Sequence, residues 1–183
     1  DDKKILKGEA GYNYLYRLNC GGDDYTDSFG QLWLQDNTNY SHSWAENFKD
    51  LNPYLASQRT TNDPIHGTRD WKLFQHFRFG RHQLEVRFPV ADGTYRIELY
   101  FTEPWHGTGG SASTDCEGLR IFDVAVNDSV VLDDLDIWAE SGHDGVCKKV
   151  VYATVTGGML RIHFPEVKAG QALISGIAIA STN

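Results

Sequence analysis

The feature that most constrains this 183-residue chain is the strict alternation of apolar and polar residues in its second half, interrupted at short intervals by glycine-containing turns. In residues 83–90 the apolar side chains fall at every second position, and the same holds for residues 95–101. A period of two places one set of side chains on one face of a β-strand, whereas no segment keeps the 3.6-residue period of an amphipathic helix. We therefore predict that this half consists of half-buried strands.

Turn residues predict where these strands end. Asp92-Gly93 separates the first two strands and predicts that they pair as a hairpin. Asn127-Asp128 and Gly157-Gly158 lie between later strands, because these residue types tolerate positive φ. Another strand is predicted at residues 14–19, and the last one at residues 173–180.

Strands at this spacing indicate an all-β fold, an antiparallel β-sandwich of jelly-roll type. Residues 12–183 contain no repeat or linker and are predicted to form one domain, with residues 1–11 as a tether. Ser43 is a suitable N-cap with Glu46 three residues later, which allows one short turn of helix over residues 43–48.

The net charge disfavours two classes of partner. Seventeen basic residues against 25 acidic ones give a net charge of −8, which disfavours nucleic acid and anionic membrane surfaces. No apolar stretch approaches the roughly 18 residues of a membrane span, so membrane insertion is not predicted. The charged start lacks the apolar core of a signal peptide, so the chain is expected to be a mature protein or an excised domain.

Cysteine usage disfavours a structural zinc site, because Cys20, Cys116 and Cys147 are far apart in sequence and have no zinc-ligand spacing. The odd count leaves room for one disulfide, such as Cys116 to Cys147, while buried, unreactive thiols are the more common arrangement. The acidic turn at residues 133–136 could offer oxygen ligands to calcium, but it lacks the EF-hand frame. No metal ion or cofactor is therefore predicted.

Aromatic and polar residues are concentrated between the strands, in residues 23–50, 66–82 and 101–118. Sugars suit such a mixture, because their C–H faces stack on aromatic rings while their hydroxyls need polar partners. The residues that we expect to stack on sugar rings are Trp33, Trp44 and Trp105. Those expected to hydrogen-bond sugar hydroxyls are Asp36, Glu103 and His106.

Catalysis has less support in the sequence. A glycosidase needs two carboxylates about 5–10 Å apart. The candidates are Glu103, Asp115, Glu117, Asp133, Asp136 and Glu140, and no spacing selects a pair among them. The chain also lacks the GxSxG motif of acyl-transfer enzymes and the glycine-rich frames that bind phosphates.

Several short segments, taken in order, resemble the malectin and malectin-like family. The first is R-L-N-C-G-G at residues 17–22, followed by Asp27, Gly30, Trp33 and Asp36. The segment F-Q-H-F-R-F-G at residues 74–80 is similar to Y-Q-T-E-R-Y-G of the family. The other matching segments are residues 88–95, 99–103, 118–124 and 134–137. Together they extend from about Arg17 to Ala180, nearly the whole chain.

The resemblance implies a β-sandwich that binds oligosaccharides without cleaving them. Trp33 and Trp44 stand near two family aromatics on loops, and Phe79 stands near the family aromatic after the arginine. The family acid before the last strand has no counterpart, because Gly170 and Gln171 occupy that place. The segment at residues 103–106 looks more like bacterial modules, which are appended to large glycoside hydrolases, often of the β-galactosidase-like type.

We therefore interpret the chain as a non-catalytic module that binds an oligosaccharide or polysaccharide and targets or supports a glycoside hydrolase. The expected partners are the glycan and the catalytic domain of the same polypeptide, and the resemblance implies a periplasmic or extracellular location. Two alternatives remain at this stage. One is a structural domain whose loop aromatics pack against the parent enzyme. The other is a glycoside hydrolase in its own right.

Overall fold

The computed structural model describes residues 2–43, 57–107 and 115–182, which form fifteen strands and two short helices. The strands are β1 (Tyr12–Asn19), β2 (Tyr25–Thr26), β3 (Leu32–Gln35), β4 (Ser41–His42), β5 (Gln58–Thr60), β6 (His76–Gly80), β7 (Glu85–Pro89), β8 (Gly93–Phe101), β9 (Ile121–Val126), β10 (Ser129–Leu135), β11 (Cys147–Val155), β12 (Met159–His163), β13 (Val167–Ala169), β14 (Ala172–Ile174) and β15 (Gly176–Thr182). The helices are α1 (Trp71–Phe74) and α2 (Ile137–Ser141). The predicted helical turn at residues 43–48 lies, from Trp44 onward, outside the described residues.

The strands form three sheets. The first has the order β11-β8-β15-β1-β3-β2, in which β1 and β3 are parallel and the other neighbours antiparallel. The second has the order β10-β9-β12-β7-β4, with β13 paired to β9. The third is small and has the order β14-β6-β5. This arrangement confirms the predicted all-β sandwich.

The main core lies between the first and second sheets. Val86 and Phe88 of β7 belong to the same buried apolar cluster as Ile97 and Leu99 of β8. All four side chains are sealed from solvent, as the alternating pattern predicts. Full burial of each such side chain contributes about 1.5–3 kcal/mol, so the alternation stabilises the sandwich directly.

The predicted hairpin at Asp92-Gly93 is wrong. β7 pairs with β12 and β4 in the second sheet, whereas β8 pairs with β11 and β15 in the first. The turn therefore carries the chain from one sheet to the other. Gly157-Gly158 makes the same crossing between β11 and β12, and the two turns contact each other: the Gly158 amide donates to Asp92 Oδ1 at 2.9 Å.

Two other strand predictions have different outcomes. Asn127-Asp128 does make a tight turn, with Asn127 at a φ of 50°, and β9 and β10 pair across it. The single strand predicted at residues 173–180 is instead divided at Ser175. Its first part, β14, pairs with β6 in the small sheet, and its second part, β15, lies between β8 and β1.

The amino-terminal segment is packed against the domain, contrary to the tether predicted for residues 1–11. Leu6 is buried in a second apolar cluster, which lies on the other side of the first sheet and includes Trp33 and Tyr100. The Ile5 carbonyl accepts hydrogen bonds from Lys148 Nζ at 2.8 Å and from the Tyr100 hydroxyl at 3.3 Å. These contacts make the segment part of the folded unit.

The three cysteines are free and buried, so the disulfide left open from the sequence is not formed. Burial raises the pKa of Cys147 to about 12, and the nearby Glu140 carboxylate acts in the same direction. Complete burial likewise raises the pKa of the Cys20 thiol well above its ordinary value. In the described part of the chain, no helix is long and apolar enough to cross a membrane.

Candidate functional site

A cleft of about 650 Å³ lies against one face of the small sheet. Its lining residues come from β5, β6 and β14 and from the segments that follow β5 and β8. Others come from the residue just before β9 and from the loop before β14. They are Arg59, Thr60, Thr61, Asp63, Phe77, Phe79, Pro104, Trp105, His106, Arg120, Gly170, Gln171 and Leu173. The mixture of aromatic, cationic and hydroxyl side chains gives the cleft both apolar and hydrogen-bonding surfaces.

The floor of the cleft is aromatic. Phe77 and Phe79 alternate on β6 and both reach the cleft, with their ring centroids 6.4 Å apart in an edge-to-face arrangement. Leu173 lies opposite Phe79 in the pairing of β14 with β6. The Arg59 guanidinium stands 4.9 Å from the Phe79 ring centroid, close enough for a cation–π contact.

One wall of the cleft is formed by the segment after β8. Trp105 is 71% exposed, the most exposed large apolar side chain among the described residues. Glu103 holds this segment in place, because its Oε2 accepts hydrogen bonds from the backbone amides of Trp105 and His106 at 3.0 and 3.3 Å. Its Oε1 receives Arg120 Nε at 2.5 Å, and Arg120 also donates to the Gln171 carbonyl at 2.6 Å.

Behind the floor lies a second arginine–carboxylate pair. Arg78 stands between Phe77 and Phe79 on β6, and its side chain points to the opposite face of the sheet. Its Nε donates to Asp36 Oδ2 at 2.7 Å, and both side chains are 0% exposed. Asp36 also accepts hydrogen bonds from the Ser41 hydroxyl at 2.7 Å and from the Gly21 amide at 2.8 Å. Asp36 is therefore a structural residue and does not reach the cleft.

The structure also corrects the role predicted for Trp33. Its side chain is 0% exposed in the second apolar cluster, edge-to-face with Tyr100 at a centroid distance of 5.4 Å. The indole Nε1 donates to Asp27 Oδ2 at 2.9 Å. Since both the ring and its polar atom are already engaged in the core, Trp33 has no face to offer a sugar.

The predicted site residues thus fall into groups. Phe79, Trp105 and His106 line one cleft, while Glu103 lies beneath its wall. Asp36 and Trp33 lie elsewhere, and Trp44 is outside the described residues. The sequence analysis missed Arg59, Phe77 and Arg120. The Phe-Arg-Phe alternation on β6 was a usable signal, because it places an arginine and two phenylalanines on opposite faces of one strand.

Within the described ranges, two groups of side chains could hold a metal ion. Asp63, His143 and Asp144 form one, and Asp123, Asp133 and Asp134 the other, each with ligand atoms within 4.8 Å of one another. Burial raises the pKa of Asp144 to about 6, with the Asp63 carboxylate acting in the same direction and His143 against it. The first group adjoins the cleft, because Asp63 belongs to the cleft lining.

The malectin domain family model matches residues 14–182. Zebrafish malectin is 24% identical over 166 residues, 87% of this chain and 52% of the relative. Among solved structures, a β-glucuronidase from Bacteroides uniformis superposes with a TM-score of 0.71 at 23% identity, covering 90% of this chain and 18% of that one. The plant receptor-like kinase FER superposes with a TM-score of 0.70 at 17% identity, covering 94% of this chain and 50% of that one. The chain thus spans about half the length of the curated relative.

Proposed function

The chain belongs to the malectin domain family, whose domains bind carbohydrate and are not catalytic, and we propose that its cleft binds an oligosaccharide or polysaccharide without cleaving it. The observation that carries this proposal is that the exposed Trp105 and the half-buried Phe79 line one cleft together with polar side chains. Sugar rings are recognised by this combination, since their C–H faces stack on aromatic groups and their hydroxyls exchange hydrogen bonds with polar ones.

The polar groups of the cleft are suited to hydroxyl ligands. Arg59 forms no ion pair with a carboxylate in the described part of the chain, and its Nη1 donates to the neighbouring Gln58 carbonyl at 2.9 Å, which leaves other N–H groups for a ligand. Thr60, Thr61 and His106 add hydroxyl and imidazole groups. Each such hydrogen bond replaces one to water, so we expect modest affinity from a single site.

The distribution of carboxylates argues against hydrolysis. A glycosidase requires two carboxylates beside the scissile bond. Asp63 is the only acidic side chain in the lining of this cleft among the described residues, and Glu103 is buried beneath it against Arg120. An acid that holds two backbone amides and a guanidinium is positioned to support the wall rather than to transfer protons.

The biological setting that we propose is attachment to a glycan-degrading enzyme. The structurally similar β-glucuronidase is a much larger chain, of which a region the size of this domain is about one fifth. A module of modest affinity gains from such attachment, because linkage raises the effective concentration of the catalytic domain at the polymer. A periplasmic or extracellular location would follow from a polysaccharide target.

Titration calorimetry against a panel of oligosaccharides, chosen by glycan array, tests the proposal. Trp105→Ala should weaken binding at least about tenfold, equal to ~1.4 kcal/mol, while the unfolding free energy changes little because the side chain is exposed. Tyr152→Ala is the matched control. Tyr152 is 56% exposed on β11 and lies opposite Arg96, near the other end of β8, so its loss should leave binding unchanged.

Two outcomes would overturn the proposal. One is the absence of any ligand across polysaccharides of different backbone sugars. The other is a ligand whose affinity is equal in the Trp105→Ala protein and in the unmodified protein. Release of reducing sugar by the isolated domain would contradict the non-catalytic part of the proposal.

A further inference from the structure

A cluster of nitrogen and oxygen ligands lies beside the cleft. It consists of Asp63, which follows β5, and of His143 and Asp144, which follow α2. One ligand atom from each residue lies within 4.8 Å of the others, and His143 Nε2 is 2.9 Å from Asp144 Oδ2. Two ligands on one ion with bonds near 2.1 Å are separated by about 3.0–3.5 Å, so small side-chain rotations would bring all three onto a single ion.

Two buried atoms of this cluster have no partner among the described residues. Asp144 is 4% exposed, and its Oδ1 accepts no hydrogen bond. His143 Nδ1 is equally enclosed and equally without a partner. No lysine or arginine in the described ranges forms an ion pair with Asp144, whereas Asp63 places a second carboxylate beside it. Unpaired polar atoms in the interior are costly, and a cation is the ligand that would satisfy carboxylate oxygens.

We propose that Asp63, His143 and Asp144 bind one divalent transition-metal ion of the zinc class. The donor set points to this chemistry, since imidazole favours zinc and its neighbours in the first transition row over calcium and magnesium. One imidazole and two carboxylates make a site with three protein ligands, which is common for zinc when a further position is left to water or a ligand.

The metal would connect segments that build one side of the cleft. The Asp144 amide donates to the Glu103 carbonyl at 2.9 Å, and Glu103 and His143 form an isolated parallel bridge. Glu103 in turn holds the amides of Trp105 and His106. An ion shared by Asp63 and the residue 143–144 segment would therefore brace the cleft wall. The metal site is inferred independently of sugar binding.

The second acidic group, Asp123, Asp133 and Asp134, differs in having a lysine ion-paired to one of its carboxylates. Lys168 Nζ is ion-paired to Asp134 Oδ1, and the Asp134 amide donates to Asp123 Oδ1 at 2.8 Å. It contains no histidine and none of its atoms is both buried and unpartnered in the described structure. This second group therefore supplies a control.

The test is calorimetric titration of EDTA-treated protein with zinc chloride, and separately with calcium chloride. We expect one zinc ion per chain, with an affinity at least about tenfold above that for calcium. At a free zinc concentration about 100-fold above Kd, Tm should rise by about 5–10 °C. Substitution of Co²⁺ for Zn²⁺ should give a visible absorption spectrum that reports nitrogen and oxygen ligands.

Variants identify the ligands. Asp63→Asn, at an exposed position, should weaken zinc binding at least about tenfold, and His143→Ala should abolish the visible cobalt spectrum. Asp133→Asn should leave both the zinc affinity and the cobalt spectrum unchanged. The proposal is overturned by the absence of one-to-one zinc binding, by zinc affinity that is the same in the Asp63→Asn protein, or by calcium binding as tight as zinc. These readouts require no sugar, so failure of the proposed sugar binding would not affect them.

Discussion

The two faces of the small sheet β14-β6-β5 are both largely enclosed, one around a charged side chain and the other around apolar ones. On its inner face Arg78 is completely buried and paired with Asp36. On the face towards the cleft, Phe77 and Leu173 are buried in the main apolar cluster, and of these three side chains only Phe79 is half-buried at the cleft. A half-buried strand normally turns its apolar residues inward and its charges outward. The apolar face thus follows this rule and leaves the Phe79 ring at the cleft, whereas the buried charge departs from it and is retained only because its partners are built into the fold.

The partners of the inner face explain why the buried charge is tolerated. Asp36 receives the guanidinium of Arg78, the hydroxyl of Ser41 and the amide of Gly21, so its carboxylate remains hydrogen-bonded in the interior. Gly21 is required there, because it has a φ of 72° and an added Cβ would lie 2.8 Å from the Phe77 carbonyl oxygen. The close approach of backbone to β6 thus depends on glycine.

The largest effect should come from breaking the pair on the inner face. Arg78→Met leaves Asp36 as a buried charge without its counterion, and we expect the unfolding free energy to fall by about 3–5 kcal/mol. Urea denaturation of both proteins measures this difference in unfolding free energy. The double variant Arg78→Met/Asp36→Asn removes both charges and should recover much of the loss. A loss below ~1 kcal/mol in the single variant would show that the pair is not what secures this face.

A smaller effect is expected from the pair at the cleft wall. Glu103→Gln weakens the hydrogen bonds to Trp105 and His106 and leaves Arg120 uncompensated, but Arg120 is close to solvent at the cleft. We expect a loss of about 1–3 kcal/mol in stability, measured in urea, together with weaker sugar binding. Glu117→Gln is the control, because Glu117 is exposed and, like Arg120, lies just before β9. Equal destabilisation by Arg78→Met and Glu103→Gln would remove the distinction between the two pairs.

Substitutions on the cleft face should affect ligand binding more than the stability of the fold. Phe79→Ala removes a half-buried ring and should cost about 1–2 kcal/mol of stability, less than Arg78→Met, while weakening sugar binding at least about tenfold. Phe79→Tyr keeps the aromatic face and should retain the affinity. Calorimetry on both variants separates the two contributions. An alanine variant that binds as well as the unmodified protein would mean that the aromatic floor does not contact the ligand.

The smallest effect concerns pH. His76 stands on the same face of β6 as Arg78, and desolvation lowers its pKa, with Lys72 acting in the same direction and Asp23 against it. Because the unfolded chain then takes up the proton first, stability should be complete above the ordinary histidine pKa of about 6.5 and should decline as pH falls through that value. Urea midpoints between pH 7.5 and 5 measure the decline. His76→Gln should flatten it, and His82→Gln, at an exposed position, should not; a steeper decline in His76→Gln would reverse the sign.

Much of the fold was predictable because alternation reports which side chains are buried. The same pattern could not predict the pairing at Asp92-Gly93, because a turn sequence specifies a chain reversal and not the sheet that the next strand joins. That choice is made by a distant contact, in which the Val90 amide donates to the Gly158 carbonyl at 3.1 Å. Because Val90 and Gly158 are far apart in the chain, local sequence patterns could not reveal this contact.

The site was predictable only in part, for a similar reason. Trp33 and Trp105 look alike in sequence, since polar or charged residues precede each of them within a few positions. Trp33 is drawn inward because Asp27 accepts its indole N–H and Tyr100 packs on its ring. Trp105 has no such partner among the described residues and remains exposed. Phe79 was identified through the family resemblance, which carries information on tertiary position that composition and spacing lack.

The crossing turns at Asp92-Gly93 and Gly157-Gly158 have a consequence for diversification of this domain. They join the two large sheets at one end of β8, and the cleft wall begins after its other end, about 27 Å away along nine residues. Replacement or lengthening of the ligand-side loops would therefore leave the sheet junction intact. We expect libraries confined to those loops to yield folded proteins with altered ligand preference, which is the property that a scaffold for engineered binding proteins needs.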